Sequence, residues 1–236
     1  MTTTERYNTL IEKIPAVFEA GKAQGGGGDG FYDLFWDTYQ NGKGYNFYGK
    51  AWTDDIFLPK HDIVKNVDNG NGAELFRDNA MTSLKGKLEV LGKRLDVSAC
   101  TSFVQMFMWS TIKDVPTIDG TNCENMNGMF GYSSVETIDK LILSEKLNVV
   151  NNAFQNAKFL TRVIFAGVIA VTGLNLQWSE LDVDSLRSLL ICLADKSTDT
   201  SGTTWKVTVG SANLATIEAN LETEALQAQK KGWVID

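Results

Sequence analysis

The sequence is poor in the residues that most often carry chemistry or cross-links. It contains one histidine and three cysteines among 236 residues. Cys100, Cys123 and Cys192 do not suffice for a disulfide framework in a chain of this length, so free buried thiols are expected. The single histidine, His61, stands in LPKHDIV, and no GxSxG elbow accompanies it. We interpret His61 as a loop residue, and we predict no catalytic residue, cofactor or metal.

Basic residues and long apolar runs are also scarce. The chain has 22 lysines and arginines against 29 aspartates and glutamates, which gives a net charge of -7. Nucleic acids and anionic membranes attract basic surfaces, so neither is an expected partner. No apolar run approaches the roughly 20 residues of a membrane-spanning helix. The first residues, MTTTERYNTLIEKIPAVFEAGK, lack the basic and apolar regions of a secretory signal, so none is predicted.

Residues 4–20 predict a short amphipathic helix ahead of a glycine joint. Its apolar stripe consists of Leu10, Ile11, Ile14, Val17 and Phe18. Such a short helix is marginally stable alone in water, so the stripe is expected to dock to a partner. The four consecutive glycines that begin at residue 25 then predict a flexible hinge over 25–30.

The stretch after the glycines holds nine aromatic residues between positions 31 and 52. Tyrosine and tryptophan suit a sugar platform or a protein hot spot. Phe31 and Phe35 share one face of a helical FYDLFWDTYQ and favour burial. We interpret residues 31–69 as a cap that covers the first repeat, and we retain Tyr32, Trp36 and Tyr39 on a second stripe as candidate recognition residues.

Three consecutive segments align with one another: 101–123, 124–147 and 148–169. Position seven is a phenylalanine each time, and a degenerate upstream copy has its own: Phe107, Phe130, Phe154 and, upstream, Phe76. Positions three, six and twelve hold apolar residues, and position ten holds a small residue. The residues at position twelve are Ile112, Val135 and Phe159. The period lies in the range of leucine-rich repeats, whose units bury apolar residues by stacking. VETIDKLIL and LTRVIF are expected to supply short parallel strands.

Cys100 and Cys123 close successive units at equivalent places. Two stacked, buried thiols are favoured over a disulfide or a metal pair. After the repeats, DVDSLRSLLICLADK predicts a helix, TWKVTV a strand, and ETEALQAQKKGWVID a helix that stops at Gly232. Asp195 and Asp199 could hold calcium, but they lack EF-hand spacing, and a turn is favoured.

The repeats resemble BspA-like leucine-rich repeats, in which an Asn/Met–x–x–Phe core precedes a small residue and a short strand. The ends of the chain resemble leucine-rich repeat proteins encoded by phages and prophages of gut bacteria. Four segments carry this second resemblance: EKIPAVFEAGKAQG, FYDLFWDTYQ, WTDDIFLPK and TDTSGTTWKVT with the later Gly232 and Trp233. The repeats of those proteins commonly have cysteine at position ten, where this chain has Ser110, Ser133 and Ala157.

The resemblance implies a non-enzymatic virion structural protein, made in the host cytoplasm, that docks to other virion proteins and faces a host-surface protein or glycan. The expected fold is an α/β leucine-rich repeat solenoid, capped at both ends. We divide it into a docking helix (1–24), a hinge (25–30), an aromatic cap (31–69), repeats (70–172) and a C-terminal cap (173–236). Homo-oligomers are expected, and trimers would suit a fibre. A bacterial surface adhesin of the same family and a glycan hydrolase are the alternatives.

Overall fold

The structure, a computed structural model, describes residues 63–65, 73–78, 82–90 and 94–236. The docking helix, the glycine hinge, His61 and the candidate residues Tyr32, Trp36 and Tyr39 lie outside these residues. The elements in chain order are β1 (Ile63–Lys65), α1 (Leu84–Val90), β2 (Arg94–Asp96), β3 (Asp114–Val115), β4 (Ile118–Asp119), β5 (Thr137–Leu143), β6 (Arg162–Gly167), β7 (Leu174–Asn175), α2 (Val183–Cys192), β8 (Trp205–Thr208), α3 (Ser211–Asn220), α4 (Glu222–Lys230) and β9 (Trp233–Ile235).

The fold of the described part is mixed α/β, and its strands are short and pair in parallel. Strand β5 is flanked by β3 and β4 on one side and by β6 on the other, while β7, β8 and β9 form a second sheet in that order. Thr137 of β5 pairs with both Asp114 and Arg162. The predicted strand VETIDKLIL contains β5, and LTRVIF covers β6 except for its last two residues, so their parallel pairing is confirmed.

Turns at residues 73–78, 104–109, 127–132 and 151–156 form a second ladder beside the strands. The backbone N–H groups of Phe76, Phe107 and Phe130 donate to carbonyl oxygens of the next turn, each at 2.7 Å. Backbone groups that face away from the sheet therefore find their partners in the next unit, as buried peptide groups must.

The four phenylalanines predicted at position seven form one buried stack. The rings of Phe76, Phe107, Phe130 and Phe154 follow one another at centroid separations of 5.1, 5.2 and 5.2 Å, with nearly parallel planes. Phe165 of β6 then meets Phe154 edge-on at 6.5 Å. Stacked and edge-on rings each add to the free energy gained by burial, so this stack is the centre of the core.

Position twelve of the third copy was predicted wrongly. Ile112 and Val135 are buried, but Phe159 is 57% exposed, and Leu160 is buried in the corresponding place. One extra residue after Ala157 causes this shift, and the Leu160 N–H bonds back to the Ala157 oxygen at 3.3 Å. The pairing of β5 with β6 shifts by one residue between Ile138 and Leu141, and this shift restores the alignment that the extra residue had displaced.

Helices cover both edges of the sheet formed by β3 to β6. Near β3, the Ser83 hydroxyl ahead of α1 donates to Asp114 at 2.7 Å. Along β6, the Ser185 and Ser188 hydroxyls of α2 accept hydrogen bonds from Val163 and Phe165 N–H at 2.9 and 3.0 Å. Open strand edges invite association with other chains. At β6, side-chain oxygens take the place of a further strand, whereas beside β3 the Lys113 N–H donates to the Thr82 oxygen at 2.9 Å and Ser83 pairs with Asp114 through the backbone.

The predicted helix in DVDSLRSLLICLADK contains α2, and its Asp182 N-cap accepts a hydrogen bond from the Ser185 N–H. TWKVTV contains β8, and the last predicted helix contains α4. Gly232, at a φ of 90°, follows α4 and leads into β9. Helix α3 was not predicted. Its buried Asn213 joins the turn after β7 to the end of β8 by donating to the Ser179 and Val209 oxygens, both at 2.9 Å.

Candidate recognition surface

Position nine of the repeats forms a row at the ends of the turns, with three exposed members and the half-buried Asn156. We define the position-nine row as Asp78, Trp109, Tyr132 and Asn156. The N–H groups of the first three donate to the carbonyl that precedes the next member, at 2.9, 3.0 and 2.8 Å. The members are therefore neighbours along the ladder. Trp109 is 45% exposed and Tyr132 44% exposed, and their ring centroids lie 6.4 Å apart.

All four members of this row have left-handed backbones, with φ values between 51° and 59°. Asparagine and aspartate tolerate this region, whereas tryptophan and tyrosine rarely enter it, at a cost of roughly 1–2 kcal/mol. Neither ring recovers this cost by full burial. Stability alone would favour Asn or Asp at Trp109 and Tyr132, as at Asp78 and Asn156, so the two aromatic residues point to a role at the surface.

Arg77 contacts the ring of Trp109 in the position-nine row. Its guanidinium lies 4.8 Å from the centre of the Trp109 ring, within the range of a cation–π contact. The same group donates to carboxylate and amide oxygens of Glu74 and Gln105. Arginine, tryptophan and tyrosine are the residues most enriched in binding hot spots, and here they form one preordered stack.

The hydrogen bonding of the turns extends beyond residue 172. Ser179 donates from its N–H and its hydroxyl to the Leu176 oxygen, at 3.0 and 2.8 Å. Ser133 makes the same two contacts with Phe130 in the second copy. Trp178 is 44% exposed, but its backbone is not left-handed as those of Trp109 and Tyr132 are. Its turn follows β7 as the turn at residues 121–122 follows β4, because the Gln177 N–H donates to Asn175 Oδ1 at 3.0 Å and the Thr121 N–H donates to Asp119 Oδ1 at 3.1 Å. Trp178 therefore does not extend the position-nine row.

The cysteines lie within the fold. Cys100 and Cys123 are buried. Each closes a turn through its backbone N–H, which donates to the oxygen of Val97 and of Gly120 respectively, at 2.9 Å. Burial raises the pKa of Cys123 to about 11. At neutral pH this thiol is protonated, so it is a poor nucleophile and a poor metal ligand.

Asp195 and Asp199 both stabilise exposed turns. Asp195 accepts hydrogen bonds from the N–H and hydroxyl of Ser197, and these bonds lower its pKa. Asp199 accepts the same pair from Ser201, and its pKa is lowered too. The favoured interpretation of this segment as a turn therefore accounts for both carboxylates.

A cavity of about 290 Å³ lies between α3, α4 and the end of β9. Leu214, Ile217 and Ile235 line it, and Glu218 and Glu222 stand among its lining residues. It is a recess between elements of the second sheet, and its walls are mainly apolar.

Trp109 and Tyr132 were missed at the sequence level, although a signal was available. The repeats were compared at positions three, six, seven, ten and twelve, where residue types agree. Position nine is Asp, Trp, Tyr and Asn in successive copies, which is the pattern of a site with a fixed backbone and a variable side chain.

Comparisons of the chain with protein-family profiles, with curated proteins and with solved structures gave no match. Within the described ranges, no helix has the length and apolarity needed to cross a membrane. Among those same residues, no three His, Cys, Asp or Glu side chains are grouped as a metal site would require.

Proposed function

We propose that the repeats form a BspA-like leucine-rich repeat solenoid, with α2 and the second sheet as its C-terminal cap. The 2.7 Å bonds between successive turns and the phenylalanine stack support this architecture. So does the recurrence of left-handed residues at Gln105, Gly128 and Asn152. Stacked units that contact only their neighbours produce a continuous edge, and position nine lies along it.

The function that this surface supports best is recognition of another molecule. The observation that carries the proposal is the exposure of Trp109 and Tyr132 on a left-handed backbone. Two large rings held at an energetic cost contact each other, and Trp109 also contacts Arg77, so they form a rigid platform that loses little entropy on binding. The sequence resemblance supports a virion structural protein as the setting, with the stripe of residues 4–20 as its attachment to other virion proteins.

The proposed role is non-enzymatic. The carboxylates with lowered pKa values have structural partners: Asp182 caps α2, Asp195 and Asp199 hold turns, and Asp236 pairs with Lys206 at 2.5 Å. The alternative, a bacterial surface adhesin, would use the same row from a different location.

The test of recognition is binding of the purified full chain to cells of the host bacterium, measured by flow cytometry. The double variant Trp109→Asn/Tyr132→Asn should lose about tenfold or more in affinity, because aromatic anchors dominate such interfaces. Its free energy of unfolding should stay within about 1 kcal/mol of the parent, since relief of the left-handed strain offsets the lost ring contacts.

The matched control is Ile191→Ala, which removes an apolar side chain of α2 that is 59% exposed. This variant should bind as the parent does. Equal binding by the double variant and the parent would contradict the proposed surface.

A further inference from the structure

The position-nine row continues from its aromatic members into a group of amides. Asn156 follows Tyr132 in the row, and Asn152 and Gln155 belong to the same turn. Within the described part of the chain, the side chains of these three residues make no hydrogen bond. Other asparagines are used structurally. The Asn122 amide donates to the Ser98 backbone oxygen, and the Asn213 amide forms hydrogen bonds with three backbone segments.

The two turns that carry Tyr132 and these amides, residues 127–132 and 151–156, contain no charged residue. The exposed Lys158 follows the second turn, and farther along the row Arg77 is paired with Glu74. Within these two turns a charged ligand would find no counter-charge, whereas a neutral ligand needs none.

Tyr132 has one aromatic neighbour, Trp109, on the side of the second turn. In the described ranges no second ring lies against it, and on its other side stands Asn156 with a short side chain. The ring of Trp109 differs, because Arg77 already occupies one of its faces. The two rings are almost equally exposed, at 45% and 44%, but of the two only Trp109 has a cation over it among the described residues, so Tyr132 is the better candidate to meet an apolar ligand face.

We propose that Tyr132, Gln155 and Asn156 form a subsite for a neutral saccharide. This inference rests on the proposed recognition function and assigns its ligand class. A sugar ring offers an apolar C–H face, which packs on an aromatic ring, and hydroxyls that both donate and accept hydrogen bonds. An amide also presents a donor and an acceptor, so Gln155 and Asn156 complement hydroxyls in a way that a carboxylate or an ammonium cannot.

The test uses the full chain on an array of neutral oligosaccharides, built from hexoses and N-acetylhexosamines, beside sialylated and sulfated counterparts. We expect binding confined to neutral members. Affinity for the best of them, measured by titration calorimetry, should fall about tenfold in Tyr132→Asn, because one ring contact of this size is lost.

Asn156→Asp keeps the size of the side chain and suits the same left-handed backbone, but it replaces the donor by a charge. Asn156→Asp should also weaken saccharide binding about tenfold, which is the loss in affinity expected when one hydrogen bond to the ligand is removed. The control Asn148→Asp, at an exposed asparagine outside the row, should leave the affinity unchanged.

Three outcomes would overturn the saccharide inference: no binding to any neutral oligosaccharide, preferential binding to charged ones, or equal loss in the Asn148→Asp control. A chain that binds host cells through Trp109 and Tyr132 but no saccharide would contradict this inference alone. In that case protease treatment of the cells should abolish binding, which would assign the row to a protein partner. Absence of cell binding altogether would contradict the proposed function itself.

Discussion

At the scale of single residues, equivalent positions of the repeats differ in how well their polar atoms are satisfied. Ser110 and Ser133 both occupy position ten and are both buried. The Ser133 hydroxyl donates to the Phe130 oxygen at 2.9 Å. The Ser110 hydroxyl is buried and finds no partner among the described residues. An unsatisfied buried hydroxyl is destabilising, so the two serines should respond oppositely to the same change.

Ser110→Ala is expected to raise the free energy of unfolding by about 1 kcal/mol, because it removes a buried group that bonds to nothing. Ser133→Ala is expected to lower it by about 1 kcal/mol, because it removes a hydrogen bond. Urea denaturation of the two variants and the parent measures both values. A change of the same sign and size in both would contradict the assignment of these hydroxyls.

Asp182 provides a residue-level prediction for pH. Burial opposes its ionisation, but hydrogen bonds from the hydroxyl and N–H of Ser185 and from Arg162 outweigh burial and lower its pKa. A lowered pKa in the folded state means that the ionised carboxylate stabilises the protein above the ordinary pKa of about 4. That stabilisation is lost as the pH falls through the lowered value.

Asp182→Asn keeps an N-cap side chain but cannot ionise. We expect the parent to be more stable than this variant at neutral pH and the difference to be smaller at about pH 3, below the ordinary pKa of the carboxyl group. Urea denaturation at the two pH values measures the difference. A gap that stays constant between them would contradict the role of the ionised carboxylate.

At the scale of elements, α2 matters because it terminates the sheet at β6. The Ser188 hydroxyl accepts from the Phe165 N–H at 3.0 Å and donates to the Ser185 oxygen at 2.7 Å. A fifth parallel strand would have satisfied the β6 edge through its backbone. Here two serines on one helical face do so, which makes the helix a cover for the edge as well as a packing element.

Ser188→Ala should destabilise the protein by about 1–2 kcal/mol, since a partly buried N–H on β6 loses its acceptor. Alanine is the better helix former, so a loss of stability would arise from the strand edge and not from the helix. Ile191→Ala on the same helix, at a 59% exposed position, should change stability by under about 0.5 kcal/mol. Equal effects in the two variants would contradict the edge-covering role.

Asn213 links elements that the second sheet brings together. Its amide donates to the Ser179 and Val209 oxygens, and its oxygen accepts from the Leu181 N–H at 2.8 Å. Asn213→Ala should cost about 3 kcal/mol or more, because several buried backbone groups lose their partners. The control Asn220→Ala removes one exposed bond to Thr216 and should cost under about 1 kcal/mol. Thermal unfolding of both variants tests this difference.

The sequence was informative where a single apolar pattern decides the structure. Leu186, Leu189 and Leu190 have helical spacing and are buried in α2. Helix α3 was missed because SANLATIEAN has a weak apolar stripe and is held in place by the polar Asn213, a tertiary contact that local pattern does not contain. The error at Phe159 has a related cause: it adjoins Leu160, and either residue satisfies an apolar position, so the sequence does not reveal the insertion.

The candidate surface was harder to predict than the core. Tyr32, Trp36 and Tyr39 drew attention by their density, and as recognition residues they stay a prediction. Trp109 and Tyr132 are isolated in the sequence and become neighbours only through the ladder of turns. Their left-handed backbone, which makes the choice of residue informative, is a property of the repeat that one copy alone does not display.

At the scale of the whole molecule, the protein combines a stack of turns, two covered sheet edges and the position-nine row. The strand and turn ladders together hold successive copies in register, and the phenylalanine stack fills the space between them. This construction places position nine of each copy beside the next, so a surface larger than any one unit arises from repetition. Recognition by that surface is the central claim, in the setting of a virion.

Attachment to the particle belongs to this scale too. In the full chain, Ile14→Asp places a charge in the predicted docking stripe and should prevent incorporation into particles, because a charge is not tolerated in an apolar interface. Binding of the soluble chain to cells should be unaffected. Incorporation is measured by immunoblotting of purified particles. Normal incorporation of the Ile14→Asp chain would refute docking through this stripe.

Whether the chain is a structural protein of a virion is tested most directly by quantitative mass spectrometry of purified phage particles from the bacterial strain that carries this gene. We expect peptides from this chain in a constant ratio to the major capsid protein across the particle fractions of a density gradient. Particles that infect the host normally and contain none of this chain would contradict it.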